Sequence, residues 1–180
     1  LHKNKLIILP ESLGNLTNLQ LLSVSYNQLT SLPESIGLLT QLKILNLMAN
    51  KFVMLPECLG LLVKLEDVWL SGNQLISLPE TLGQLKEIRR FYSWGNPIHS
   101  MPDWIENFTK LEYLEASSCL ISQIPHVVST LKNLGELDLC DNNISDLPSS
   151  LAQLEHLVKL NLDNNPLNPE LAEAYKQGLP

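Results

Sequence analysis

Apolar residues along the chain follow a pattern that repeats every 23 residues. In segment 9–31, LPESLGNLTNLQLLSVSYNQLTS, they occupy positions 9, 13, 16, 19, 22, 24 and 29. The same pattern returns in the segments that begin at positions 32, 55, 78, 101, 124 and 147. One such segment is too short to enclose its own apolar side chains. Seven copies in one register therefore predict seven similar units, each stacked on its neighbours.

The spacing within one copy predicts two kinds of local structure. Leu13, Leu16 and Leu19 are three residues apart, which favours a 3₁₀ or short helical segment. Leu22 and Val24 are two apart, which predicts a short strand whose inward side chains alternate with outward ones. The second residue of every copy is proline, which fixes φ and sets the bend into the outer segment.

One polar position, just after the predicted strand, is nearly always asparagine. Its side chain carries a donor and an acceptor, so it can bridge two stacked copies where the chain turns inward. We interpret this column as a structural asparagine ladder and not as a ligand site. Its members are Asn27, Asn50, Asn73, Asn96, Cys119, Asn142 and Asn165, with cysteine in the fifth copy.

The form LxxLxLxxN at this period resembles the leucine-rich repeat family, in its intracellular and bacterial type. The resemblance covers nearly the whole chain and implies an α/β solenoid. In this horseshoe a parallel β-sheet lines the concave face, and 3₁₀, irregular or short helical segments form the convex face. The exit sequence NPLNPELAEAYKQGLP also resembles the junction between repeats and GTPase domain in bacterial Roco proteins.

The whole chain, residues 1–180, is predicted to form a single repeat domain. Residues 1–8 match the end of a repeat, so we expect the chain to be a fragment of a longer protein. The period ends after the seventh copy, and residues 168–180 are predicted to form a C-terminal helical cap or a linker. Asn168 followed by Pro169 favours a helix start there, and Gly178 is typical of a helix end.

The fourth and fifth copies depart from the apolar pattern. The small residues Ser93 and Ala116 occupy inward strand positions, and the large residues Phe91 and Phe108 lie nearby in the sequence. Compensation of volume within a tightly packed core accounts for these inward changes. The alternative is that this zone is specialised for function.

Composition and motifs argue against several function classes. The net charge of −7 disfavours a nucleic acid or an anionic membrane as partner, and no apolar run approaches a membrane span. The sequence contains no phosphate-binding loop, no nucleophile–base motif and no metal-ligand spacing. We therefore predict a non-enzyme without cofactor or metal. Three cysteines in different columns, and no signal-peptide pattern, favour the cytoplasm.

Outward strand positions form columns across the predicted sheet, and one region of them is aromatic. Aromatic residues, methionine and arginine are enriched where proteins bind one another. We therefore predict a partner-binding patch on the concave face that consists of Trp69, Tyr92, Trp94, Tyr113, Arg90 and Met48. The acidic residues predicted at its rim are Glu115, Asp138, Asp141 and Asp163.

Less specific interpretations of the same residues stay open. The rings could lie against one another and simply shield the sheet, while Arg90 pairs with Asp67. The acidic end could serve solubility as well as a basic ligand. The sequence therefore identifies candidates for recognition without excluding a structural role.

Two classes of function follow from the sequence. The leading one is a non-enzymatic protein-recognition module within a larger intracellular protein. The other is the regulatory arm of a multidomain enzyme, such as a Roco-type GTPase, whose concave face contacts a neighbouring domain in cis. A bacterial effector that binds a host protein would use the same recognition mechanism. Neither the partner nor the oligomeric state follows from the sequence.

Overall fold

A computed structural model describes residues 1–178 and contains one seven-stranded sheet. Neighbouring strands are parallel and follow sequence order, and their register is shifted by one repeat, so that Leu22 pairs with Leu45. This architecture confirms the predicted solenoid. The strands are β1 Leu21–Ser23, β2 Ile44–Asn46, β3 Asp67–Trp69, β4 Arg90–Tyr92, β5 Tyr113–Glu115, β6 Glu136–Asp138 and β7 Lys159–Asn161.

A 3₁₀ helix of five residues precedes each strand and forms the convex face. The proline of each copy comes directly before this helix, with an extended backbone and φ between −64° and −76°. Proline at this position costs no hydrogen bond within the helix, because the first N–H groups of a helix have no intrahelical acceptor. The helices are Glu11–Asn15, Glu34–Leu38, Glu57–Leu61, Glu80–Gln84, Asp103–Asn107, His126–Thr130 and Ser149–Gln153.

The core runs without interruption through all seven coils. Inward strand residues such as Leu45 and Leu137 are almost fully buried, each with 1% of its surface exposed. On the convex side the coils approach closely at a column of glycines. A Cβ atom on Gly14 would lie 2.5 Å from the carbonyl oxygen of Ser35 in the next coil, so a larger residue would push the coils apart.

The inward residues of the fourth and fifth coils compensate one another in volume. Ser93 and Ala116 are both buried, and the Phe91 and Phe108 rings occupy the space beside them with centroids 5.7 Å apart. Trp104 packs on Phe108 from the convex side at 5.6 Å. A cavity of about 20 Å³ lies between these two coils. The packing therefore supports compensation as the reason for the unusual inward residues.

The residue before each ladder position has a left-handed backbone, which turns the chain inward after the strand. This conformation was not predictable from the residue types, because glycine is the usual signal for positive φ and only two coils use it. The φ values lie between +49° and +66° for Lys3, Tyr26, Ala49, Gly72, Gly95, Ser118, Asp141 and Asn164.

Helix α1, Pro169–Lys176, follows the last coil and begins where the sequence predicted. The Leu171 N–H group donates to the Asn168 side chain at 2.9 Å and caps the helix. The Tyr175 hydroxyl accepts from the Leu162 N–H group at 3.0 Å and so ties the helix to the last coil. Positions 179 and 180 of the predicted cap lie outside the described residues. Within residues 1–178, no helix is long and apolar enough to cross a membrane.

Candidate functional site on the concave face

Three aromatic rings from consecutive strands form a continuous stack on the concave face. Trp69 and Tyr92 are register partners at the ends of β3 and β4, and their ring centroids lie 4.1 Å apart with planes 23° from parallel. Tyr113, at the start of β5, extends the row with its centroid 5.0 Å from that of Tyr92 and its plane tilted by 36°. Parallel strands are about 4.8 Å apart, which suits ring stacking between neighbouring coils. We call these three residues the aromatic stack.

The three residues of the aromatic stack are half-buried. The rings do cover one another, as the shielding alternative requires. Within residues 1–178, however, no side-chain polar atom of Trp69, Tyr92 or Tyr113 is enclosed without a partner. Burial and the nearby carboxylates of Glu115 and Asp138 raise the pKa of Tyr113 to about 12, so its hydroxyl is a hydrogen-bond donor at neutral pH.

Trp94 and Met48 belong to a separate column beyond the strand ends. Trp94 is 40% exposed and does not stack on the three rings, and Met48 is half-buried two coils away. Between them lies Ser71, which is fully buried and whose hydroxyl has no partner among the described residues. The residues predicted as one patch therefore divide into the aromatic stack and this neighbouring column.

Arg90 pairs with Asp67, as the less specific interpretation of the sequence proposed, although Asp67 was not among the predicted site residues. Its Nε and Nη2 atoms donate to the two carboxylate oxygens of Asp67 at 2.8 and 2.6 Å. The Asp67 side chain is 7% exposed and the Arg90 side chain 53% exposed. This bidentate pair raises the pKa of Arg90 and fixes its guanidinium plane. The signal for Asp67 was its place one period before Arg90 in the same column.

Two of the four predicted rim residues border the aromatic stack. Glu115 on β5 is the register partner of Tyr92 on one side and of Asp138 on the other. Burial, followed by repulsion from Asp138, raises the pKa of Glu115. The Asp138 carboxylate accepts from the Cys140 N–H group at 3.1 Å and from the Asn161 amide at 3.2 Å. These two carboxylates form an acidic pair on adjacent strands.

The other two rim residues serve local structure near the turns. Asp141 is exposed and accepts a hydrogen bond from the Asn164 side chain at 2.9 Å. Asp163 is also exposed and accepts from the Tyr175 hydroxyl at 3.1 Å. Both lie beyond the strand ends, away from the three stacked rings. They contribute charge to this end of the molecule and no direct contact to the stack.

The asparagine column bridges successive coils in the structure. Asn50 accepts from the Leu29 N–H group at 3.1 Å and donates to the Val24 and Leu47 carbonyls at 3.1 and 3.0 Å. The corresponding bonds recur at the other asparagines, most of which are buried. In the fifth coil, the Cys119 thiol donates to the Ser93 carbonyl of the preceding coil at 3.5 Å, and a thiol is a weaker donor than an amide. The ladder is therefore weakened between the fourth and fifth coils.

Two kinds of reactive group, metal clusters and activated thiols, can be checked in the described residues. Among residues 1–178, no group of three or more acidic, histidine or cysteine side chains is placed to hold a metal ion. Burial, followed by the neighbouring acids, raises the pKa of Cys58 to about 11 and that of Cys140 to about 12. Both thiols are protonated at neutral pH and are poor nucleophiles.

Several solved structures share this fold over nearly the whole chain. A leucine-rich repeat protein of Leptospira interrogans is 32% identical, covers 99% of this chain and 51% of its own, and has a TM-score of 0.78. An internalin of Listeria monocytogenes is 26% identical, covers 97% of this chain and 50% of its own, and has a TM-score of 0.79. The plant peptide hormone receptor RGFR1, solved in complex with RGF2, is 28% identical. It covers 91% of this chain and 31% of its own, with a TM-score of 0.75. This chain thus spans about half the length of the two bacterial proteins, or less than a third of the receptor.

Sequence-family models agree with the structural likeness. A model described as a leucine-rich repeat region matches residues 1–104, and one described as a leucine rich repeat matches residues 109–167. No curated protein sequence matches the chain significantly. The resemblance of the exit sequence to the Roco junction stays a prediction. The matches cover nearly the whole solenoid, and the chain therefore belongs to the leucine-rich repeat family.

Proposed function

We propose that this chain is a non-catalytic protein-recognition module whose partner contacts the concave face at the aromatic stack. The observation that carries the proposal is the set of three rings stacked across β3, β4 and β5. Aromatic side chains bury a large area with few rotatable bonds. Because the rings already restrict one another, binding loses little further conformational entropy.

The family and its fold support this proposal, since leucine-rich repeats commonly mediate protein–protein interaction. The structural likeness includes a receptor solved with its peptide hormone, which is a property of that receptor. For the present chain we propose a protein partner, in trans or as a neighbouring domain in cis, because either could reach the open face. Cytoplasmic location stays a prediction from cysteine usage.

Selection from a displayed library of random peptides would test this proposal even though the natural partner is unidentified. Enriched peptides would be titrated against wild type and against Trp69→Ala, Tyr92→Ala and Trp94→Ala. We expect Trp69→Ala to weaken binding by about 2 kcal/mol, roughly thirtyfold in Kd, and Trp94→Ala to have a smaller effect. Leu38→Ala is the matched control, because Leu38 is 56% exposed on the convex face.

Circular dichroism and chemical denaturation would establish that each variant is folded. Peptides that bind Trp69→Ala and Tyr92→Ala as tightly as wild type would exclude the aromatic stack. If the same peptides lost affinity for Leu38→Ala, the recognition surface would lie on the convex face instead.

A further inference from the structure

Charge is distributed unevenly between the two halves of the concave face. On β1 to β4 the only charged outward side chains are Asp67 and Arg90, which neutralise each other in a bidentate pair. On β5 to β7 acidic residues predominate, and the aromatic stack lies across the boundary. The charged outward positions of these last three strands are Glu115, Glu136, Asp138 and Lys159.

Among the described residues, the carboxylates nearest the stack form no close ion pair, and Lys159 attracts Glu115 only from a distance. The Lys159 ammonium group, the sole cation on β5 to β7, lies 3.5 Å from the Glu136 carboxylate. Within residues 1–178, neither Glu115 nor Asp138 has an ion-pair partner within 4.0 Å. Like charges directly opposite each other on adjacent strands reduce stability. Such local conflicts between sequence and fold are concentrated at functional sites.

The rings beside these carboxylates can also bind a cation. A guanidinium or ammonium group within about 6 Å of a ring centroid is attracted by the negative face of the ring. Tyr92 is the register partner of Glu115, and the Tyr113 ring lies 5.0 Å from that of Tyr92. One cationic side chain could therefore lie over a ring and reach a carboxylate. Arg90 does not supply it, because both of its bonded nitrogens face Asp67.

Building on the proposed function, we propose that the partner is a basic protein segment. One of its arginine or lysine side chains lies over the Tyr113 ring, on the side away from Tyr92, and pairs with Glu115 and Asp138. Arginine suits this place best, because its planar group stacks on aromatic rings and binds carboxylates with two hydrogen bonds. Charge complementarity with the unpaired acidic pair selects this occupant over a neutral or acidic segment.

Three synthetic peptides of equal length would serve as probes. Each is capped at both ends and alternates serine with arginine, lysine or glutamate, and binding is measured by isothermal titration calorimetry at low and at physiological salt. We expect the arginine peptide to bind, the lysine peptide to bind more weakly and the glutamate peptide not to bind. Added salt should weaken the binding of the two cationic peptides, because salt screens the attraction between exposed charges.

Paired variants separate the acidic pair from overall charge. The double variant Glu115→Gln/Asp138→Asn should bind the arginine peptide about tenfold or more weakly than the wild type does. The matched control Glu106→Gln/Glu155→Gln also removes two carboxylates, but both residues are exposed outside the concave face. This control should leave the affinity within about twofold, since distant exposed charges are screened.

Equal losses in the two double variants would overturn the inference, because net charge alone would then explain binding. Absence of arginine-peptide binding at low salt, or equal binding of the glutamate peptide, would also overturn it. If library-derived peptides still depend on Trp69 while the acidic pair has no effect, the basic partner is excluded and the proposed function stands. If binding depended neither on Trp69 nor on the acidic pair, both the proposed function and the basic partner would be excluded.

Discussion

The second and third coils and the junction between the fourth and fifth coils reach the same backbone register with different interiors. In the regular coils, Asn50 and Asn73 supply complete ladder bonds, and leucines fill the core. At the junction Cys119 replaces asparagine, and the Phe91 and Phe108 rings fill space beside small residues. Yet β4 and β5 pair in the same register as β2 and β3.

This difference shows how a solenoid accommodates change. Each coil contacts mainly its two neighbours, so an altered core needs compensation only within that short range. The remaining cavity of about 20 Å³ indicates that compensation at the junction is nearly complete. The same two coils contribute Tyr92 and Tyr113 to the aromatic stack. The region with the most altered interior therefore also carries the most distinctive outer surface.

The largest expected effect tests the altered core. Phe108→Ala should lower the free energy of unfolding by about 3–5 kcal/mol, because the ring packs on both Phe91 and Trp104. Leu39→Ala, at the equivalent and fully buried position of the second copy, should cost about 2–4 kcal/mol. Leu16→Ala is the control in the same column, since Leu16 is 53% exposed. Equal losses for all three in urea denaturation would contradict the assigned packing.

The second effect compares the intact ladder with its interruption. Asn73→Ala should cost about 2 kcal/mol, because the buried Phe52 N–H group would lose its acceptor and the Leu47 carbonyl would keep only its bond from Asn50. Cys119→Ala should cost less than about 1 kcal/mol, since the thiol is a weak hydrogen-bond donor. Thermal unfolding monitored by circular dichroism would measure both. Similar losses would mean that Cys119 stabilises its turn as well as asparagine does.

A smaller effect concerns the left-handed residue before the ladder. Ala49→Gly should raise the free energy of unfolding by about 0.5–1 kcal/mol, because alanine is strained at φ +52°. The reverse change, Gly72→Ala, should lower it by a similar amount at φ +66°. A Cβ atom on Gly72 would have its nearest neighbour 3.7 Å away, so crowding does not explain that loss. No change in either variant would show that this turn relaxes without strain.

The smallest effect tests the acidic pair through pH. The folded pKa of Glu115 is raised, so the folded state holds this proton more tightly than the unfolded chain. The resulting loss of stability is absent below the unfolded pKa and is complete above the folded pKa. Glu115→Gln should therefore stabilise the protein by about 0.5 kcal/mol at pH 7 and by almost nothing near pH 3, well below the unfolded pKa of about 4.3. A gain of equal size at both pH values would exclude repulsion as its cause.

Much of the fold, and part of the candidate site, could be predicted from particular residues. The prolines fixed the entry into each 3₁₀ helix, and the alternation at Leu22 placed Leu21 and Ser23 on the outward side of β1. Because all copies have one length, Trp69 and Tyr92 were predicted as neighbours on adjacent strands, as they are. The column that includes Trp94 was less predictable, since the strands end before it and several of its serines are buried.

The sequence by itself determined the number of coils, their parallel register and which side chains share a column. A fixed period makes every coil superimpose on the next, and strand alternation then assigns inward and outward positions. Only the tertiary structure decided that three rings stack, that Trp94 lies apart and that Arg90 is held by Asp67. Those outcomes depend on side-chain rotamers and on distances between coils, which a repeat period does not encode.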